Sequence, residues 1–325
     1  MAQVLKASEE NLKIAAEVIR KGGLVAFPTE TVYGLGGDAF NPDAVARIFE
    51  VKERPSFDPI IVHIADFKDI RRLCRKVDER AKILAERFWP GPLTIVLKKS
   101  EKVPDIVTAG LDTVAVRMPS HPVARKLIEY SKTPIAAPSA NLFGRLSPTT
   151  AEHVKEQLGE RIDIIIDAGR CEVGVESTVI DLTKEPTILR LGGTPVEEIE
   201  KVIGRVGILT HSDKPRSPGQ LSKHYSPKTP LRIIKEKVVI EHGKKAGLLA
   251  FRQPDDEIAK RFEKIEVLSN SDDLNEALRQ AAQNLFSALH RLDKANLDVI
   301  YAERVPEIGL GKAIMDRLRK AEGVE

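Results

Sequence analysis

The chain has 325 residues, more than one ordinary domain core holds, so two packed units are expected. With 42% hydrophobic and 30% charged residues it buries real cores, which excludes bulk disorder, and 51 Lys and Arg against 48 Asp and Glu leave a net charge of only +3. No run of about 18 apolar residues occurs and the start MAQVLKASEE is too polar for an export signal, so no membrane span is expected and the location reads as cytoplasmic.

In chain order, Ser8 is placed to cap a helix with Leu12, Ala15, Ala16 and Ile19 on one face, ended by Gly22 and Gly23. Leu24 to Phe27 follows as a buried strand. Directly after it comes PTETVYGLGGDA, where Thr29, Thr31 and a cluster of glycines face the end of a strand, the usual place for a ligand in an open α/β sheet. The plainer reading is a glycine turn whose threonines bond their own backbone. Gly34, Gly36 and Ala39 also fit G-x-G-x-x-A, but the fingerprint requires its first glycine at a strand-to-helix turn, and Pro42 starts the helix later. A nicotinamide-dependent oxidoreductase therefore ranks low.

Asn41 and Pro42 open a second helix ending near Arg54. Lys52 and Arg54 at its end suit either the helix carbonyls or a phosphate. Ile60 to Ala65 is a strand with Ile60, Val62 and Ile64 on one side and His63 on the other. Further strands are expected at 93–97, 114–118, 134–137, 162–166, 178–182 and 187–191. Within VAVRMP, Arg117 shares the face of Ala115, and a charge on a central strand must pair internally or bind an anion. Ser139 and Asn141 follow a strand, Ser147 reads as a helix N-cap, and Ser177 and Arg190 stand at strand ends. Thr194, Pro195 and Glu197 spell a capping box for a helix to about Ile203.

The positive charge is concentrated in residues 206–230, with four basic residues against one acidic, while the sequence on either side is balanced. Pro215, Pro218, Pro227, Pro230 and Gly219 make this stretch a linker, and a connection so long is functional or disordered. The expected division is 1–205 as a first α/β domain, 206–230 as a linker, and 231–325 as a small α/β domain. That last domain has strands at 231–235, 247–251, 265–268 and 299–302, a long helix from Asp272 to about Leu292 and a terminal helix from Gly311. Cys74 and Cys171 lie far apart without ligand spacing, so each reads as a small buried apolar side chain. P-loop, G-x-S-x-G and H-E-x-x-H motifs do not occur.

Taken together, PTETVYGLGGDA, KERPSFDPIIVHI, FWPGPLTIVL, TVAVRMPSHPVA, PIAAPSANLFGRLSPTTAEHV and GVESTVIDL resemble the YrdC-like threonylcarbamoyl-AMP synthases over residues 10–200. SPGQLSKHYSPKTPL and GLGKAIMDRLRKA resemble the long form of that enzyme. The resemblance implies a twisted open mixed sheet with flanking helices, followed by a smaller Rossmann-like open α/β domain. It implies a reaction of L-threonine, bicarbonate or CO₂, and ATP with Mg²⁺, giving threonylcarbamoyl-AMP and pyrophosphate for the threonylcarbamoyladenosine of tRNA, with transfer completed by a partner complex. Threonine-binding positions carry over to Thr31, His63, Arg117, Ala137 and Ser177. ATP-binding positions carry over to Lys52, Arg54, Asp58, Thr113, Ser139, Ser147, Arg190 and, from the linker, Tyr225. The chain departs from the family at Glu53, where Gly is usual, at Asp58, where Asn is usual, and at Gln220-Leu221-Ser222. Asp58 would then act through a metal or its backbone. The competing class is an RNA-binding module of the same fold, opposed by the balanced charge of residues 1–205 and 5% aromatics.

Overall fold

The computed structural model describes residues 2–212, 215–221, 224–235 and 240–323. Contacts divide the chain into two units. The first comprises Met1–Phe143, Pro148–Glu172 and Glu176–Leu221, and the second Gly144–Ser147, Val173–Val175 and Ser222–Glu325. The stretch expected as a linker is shared between them, and its residues 213, 214, 222 and 223, including Ser222 of the departing tripeptide, lie outside the described residues.

The first unit is built on β1 (Gln3–Lys6), β2 (Val25–Phe27), β3 (Gly34–Asp38), β4 (Ile61–His63), β5 (Leu93–Lys98), β6 (Thr113–Arg117), β7 (Ile135–Ala136), β8 (Ile164–Asp167), β9 (Thr178–Asp181), β10 (Thr187–Arg190) and β11 (Gly207–Ile208). Among the described residues these eleven form one mixed sheet in the order β1-β8-β2-β3-β7-β4-β6-β5-β9-β10-β11. Apolar side chains cover both faces: Leu35, Val62, Ile95 and Val116 belong to one core, and Phe27, Ile135 and Ile164 to another with Ile19 and Ile128. Local sequence explains the helix starts. Ser8 Oγ accepts from Asn11 N ahead of the helix Glu9–Arg20, and Asn41 Oδ1 accepts from Asp43 and Ala44 N ahead of Pro42–Lys52.

Three local expectations are corrected. The glycine cluster is not a loop: Gly34–Asp38 is β3, paired with β2 and β7. A Cβ on Gly36 would lie 2.6 Å from both Ile135 Cγ2 and the Phe27 ring, so the glycine is there to let three strands close up. The helix Val196–Ile203 forms without its capping box. Thr194 turns inward instead, where Thr178 Oγ1 accepts from its N–H at 3.1 Å and donates to its carbonyl at 2.5 Å. Ser147 is not an N-cap either; the helix Ala151–Leu158 is capped by Thr150, whose hydroxyl accepts from His153 N.

The second unit has β12 (Leu231–Ile233), β13 (Ala246–Ala250), β14 (Lys264–Val267) and β15 (Val299–Ala302), all parallel in the order β12-β15-β13-β14. Long helices at Leu274–Asp293 and Leu310–Glu322 accompany them, giving the small open α/β sheet expected. No helix among the described residues is long and apolar enough to cross a membrane.

Candidate active site

Strand register assembles the site. His63 on β4 lies opposite Arg117 on β6, and Arg117 lies opposite Thr94 on β5, so three polar side chains form a row across the middle of an otherwise apolar sheet. From there the hydrogen bonds run in both directions. Arg117 Nη1 donates to Thr31 Oγ1 at 2.9 Å and Nε to the Gly91 carbonyl at 3.3 Å. Thr94 Oγ1 and Ser177 Oγ are hydrogen-bonded at 2.7 Å. Arg190 closes the line, giving Nη2 to Ser177 Oγ and Nε to the Ser177 carbonyl, each at 3.0 Å. Thr31, Arg117, Ser177 and Arg190, expected from separate segments, are thereby joined through Thr94, which was not singled out.

Thr29 and Thr31 divide the two readings of their segment. Thr29 Oγ1 donates to the Val32 carbonyl at 2.6 Å and accepts from Thr31 N and Val32 N, a local turn. Thr31 Oγ1 lies 2.8 Å from Thr29 Oγ1 and also accepts from Arg117. Glu30 between them is a second residue to which the sequence alone gives no role: its Oε1 lies 2.6 Å from Arg117 Nη2, and both groups are buried. Arg117 thus has an internal counter-charge.

His63 is buried, its ring set edge-on to Phe27 at 6.3 Å between centroids, and Nδ1 finds no hydrogen-bond partner among the described residues. Burial, then the Arg117 charge, pulls its pKa from 6.5 down to about 3, so the imidazole is neutral. An unfolded chain takes up the proton near pH 6.5 while the folded one refuses it, so stability is full above that pH and falls as pH drops toward 3. The expected loss from this residue between pH 6.5 and 5 is about 1.5–2 kcal/mol. Urea titrations at the two pH values should show it, and His63→Gln should lose that share of the acid dependence; an equal dependence in both proteins would show that His63 is protonated in the fold.

The second cluster surrounds the end of the helix Pro42–Lys52. Lys52 does not serve the helix carbonyls: Nζ donates to the Ser139 carbonyl at 2.6 Å and to the Asn141 carbonyl. Burial, and then the charge of Arg54, holds its pKa well below the usual lysine range. Arg54 Nη2 meets Asp58 Oδ2 at 2.9 Å and donates to the Pro59 carbonyl at 2.9 Å, while Nε donates to the Asp58 carbonyl at 3.1 Å. Asp58 is therefore the counter-charge of Arg54, with its pKa raised by burial against the opposing pull of Arg54, Lys52 and Arg190. Ala137 is buried and its N–H donates to the Ile61 carbonyl at 2.9 Å; Ser139 bridges to Gly34. Thr113 heads β6, the end opposite Arg117, and with Ile61 level with Ala115 the same register runs back toward Pro59 and Arg54.

Residues 215–221 lie against this first unit. Arg190 Nη1 donates to the Pro218 carbonyl at 3.4 Å, Arg216 Nη1 meets Asp181 Oδ2 at 2.5 Å, and Gln220 Oε1 accepts from Arg216 N at 2.7 Å. Ser147 and Tyr225 belong to the second unit. There Ser147 is buried, its carbonyl 3.2 Å from His290 Nε2. Tyr225 has φ +60°, and its buried ring packs against His224 at 4.1 Å and Phe286 at 5.7 Å, with the Arg317 guanidinium 4.8 Å from its centroid. Cys74 and Cys171 are buried free thiols whose pKa values burial raises, that of Cys74 to about 12. Among the described residues no group of three or more His, Cys, Asp or Glu is placed to hold a metal ion.

The mixed α/β sheet of the first unit thus carries a buried row of arginines and hydroxyls. A profile of the Sua5/YciO/YrdC family, described as telomere recombination, matches residues 17–192, and one described as the C-terminal domain of threonylcarbamoyl-AMP synthase matches residues 194–323. The chain is 48% identical to the threonylcarbamoyl-AMP synthase of Pyrococcus abyssi over 98% of its own length and 96% of that protein. It is 43% identical to that of Bacillus subtilis over 98% and 95%. The crystal structure of Pyrococcus abyssi Sua5 complexed with L-threonine superposes with a TM-score of 0.91 at 46% identity, covering 99% of this chain and 98% of that one. The chain belongs to the threonylcarbamoyl-AMP synthase family.

Proposed function

We propose that the protein forms threonylcarbamoyl-AMP and pyrophosphate from L-threonine, bicarbonate or CO₂, and ATP. The observation that carries this reading is the pair of hydrogen-bonded groups Thr31–Arg117 and Thr94–Ser177–Arg190, set side by side by the register of Arg117 with Thr94, in a family whose Pyrococcus abyssi member has been crystallised with L-threonine. In this reading Arg117 receives the threonine carboxylate, Thr31 and Ser177 offer hydroxyls, and neutral His63 and Ala137 complete the pocket. The α-ammonium group first gives up a proton to solvent; the free amine nitrogen then bonds to CO₂ and loses a second proton to give a carbamate, bicarbonate supplying the CO₂ by loss of water. A carbamate oxygen then attacks the α-phosphorus of ATP, and pyrophosphate leaves. No protein nucleophile is needed; the site contributes alignment and fixed positive charge.

By the resemblance, Lys52, Arg54, Asp58, Thr113, Ser139, Ser147, Arg190 and Tyr225 are assigned to the nucleotide. Lys52 and Arg54 hold internal partners, so phosphate binding at this end requires exchange of those bonds. Asp58 and Glu30 are each paired with an arginine and offer no dedicated cage for a metal. Magnesium fits better as an ion that enters with ATP, neutralising the triphosphate while held by it and by water. A cytoplasmic location and delivery of the product to a tRNA-modifying complex are parts of the same reading.

Pyrophosphate release measured with ATP, bicarbonate and L-threonine tests it. Release should require all three and should fall by an order of magnitude or more with L-serine, which lacks one methyl group. Binding of tRNA without any pyrophosphate release would favour the RNA-binding class and reject the synthase.

A further inference from the structure

Glu30 is 3% exposed, and among the described residues neither of its carboxylate oxygens accepts a hydrogen bond. It faces Arg117 Nη2 at 2.6 Å, but Nη2 donates no hydrogen bond, so the pair is held by charge without the aligned geometry of a forked arginine–carboxylate contact. The other parts of the guanidinium are committed, Nη1 to Thr31 Oγ1 and Nε to Gly91 O. A buried carboxylate with its acceptor capacity unused is an uncommon arrangement, and it lies beside the cation assigned to the substrate.

A ligand carboxylate brought to Arg117 takes over part of the charge that balances Glu30. A simple carboxylic acid anion would therefore leave Glu30 as a poorly compensated buried anion, which opposes binding. A ligand that carries an ammonium beside its carboxylate removes the conflict. Its carboxylate takes Arg117, and its N–H groups fill the empty acceptors of Glu30. An α-amino acid holds both charges on one carbon. We propose that Glu30 accepts the α-ammonium group of the amino-acid substrate and makes the pocket selective for the zwitterion over hydroxy acids and other simple carboxylates. This specificity residue rests on the threonine reading above.

The test is calorimetric binding of L-threonine and of (R)-3-hydroxybutanoate, which keeps the carboxylate, hydroxyl and methyl groups and lacks the amine, to the full-length protein without ATP. The wild type should bind L-threonine at least about tenfold more tightly, the scale of a hydrogen bond to a charged group. Glu30→Gln keeps the shape and loses the charge. It should weaken L-threonine by about tenfold or more while leaving hydroxybutanoate unchanged or tighter, because Arg117 is released. Equal binding of the two ligands by the wild type overturns the proposal, and so does a Glu30→Gln variant that keeps the threonine affinity or weakens both ligands by one factor. If the variant does not fold, the wild-type ratio alone decides. A wild type that does not bind L-threonine at all rejects the substrate reading itself, and the role of Glu30 falls with it.

Discussion

Arg117→Met is expected to lose about 3–5 kcal/mol of folding stability and all measurable L-threonine binding. Arg117 and Glu30 are each 4% exposed at the side chain, so removing the guanidinium leaves a carboxylate in the protein interior with no counter-charge. It also leaves Thr31 Oγ1 and the Gly91 carbonyl without their donor. The cost comes mainly from the stranded charge, not from the lost contact. Adding Glu30→Gln to Arg117→Met should therefore recover most of the stability and none of the threonine binding. Urea denaturation of the two single variants and the double variant, with threonine titrations on each, separates the two effects. An Arg117→Met protein as stable as the wild type would mean that Glu30 is solvated and the pair is not buried as described.

Arg54→Met is the second large expected effect, for the same reason at a different place. Asp58 is 1% exposed and depends on Arg54 for its charge balance, with Lys52 and Arg190 contributing at longer range. Its folded-state pKa already lies above the ordinary 3.8, because burial favours the neutral acid, and loss of Arg54 raises it further. A carboxyl with a raised folded pKa binds its proton more readily folded than unfolded, so the fold gains stability as pH falls through that pKa and loses it as pH rises. The deficit of Arg54→Met should be about 3–5 kcal/mol near pH 7.5 and should shrink steadily on acidification. Arg54→Met with Asp58→Asn should remove both the deficit and its pH dependence. A deficit of constant size between pH 7.5 and 5 would show that Asp58 finds another partner.

Capping residues, turn glycines and strand periodicity are local, and they were legible. Ser8, Asn41 and Pro42 start their helices as expected, and Val114 and Val116 fall on the core face with Arg117 on the other. The capping box at Thr194 failed because Thr178, sixteen residues earlier, offers both a donor and an acceptor. β3 was missed because its glycines read as a turn, whereas neighbours on two other strands make them a tightly packed strand.

By itself, the sequence determined the α/β class and the position of most elements, because propensity, capping and periodicity depend on near neighbours along the chain, while the candidate site residues came from the resemblance to a known family. Only the tertiary structure decided which charges cancel inside the protein. Glu30 meets Arg117 across 87 positions, and Thr94 meets Ser177 across 83, through strand register that no local pattern encodes. Whether a buried arginine is an open anion site or one half of an ion pair depends on distances between segments far apart in the chain, and those distances exist only once the sheet has formed.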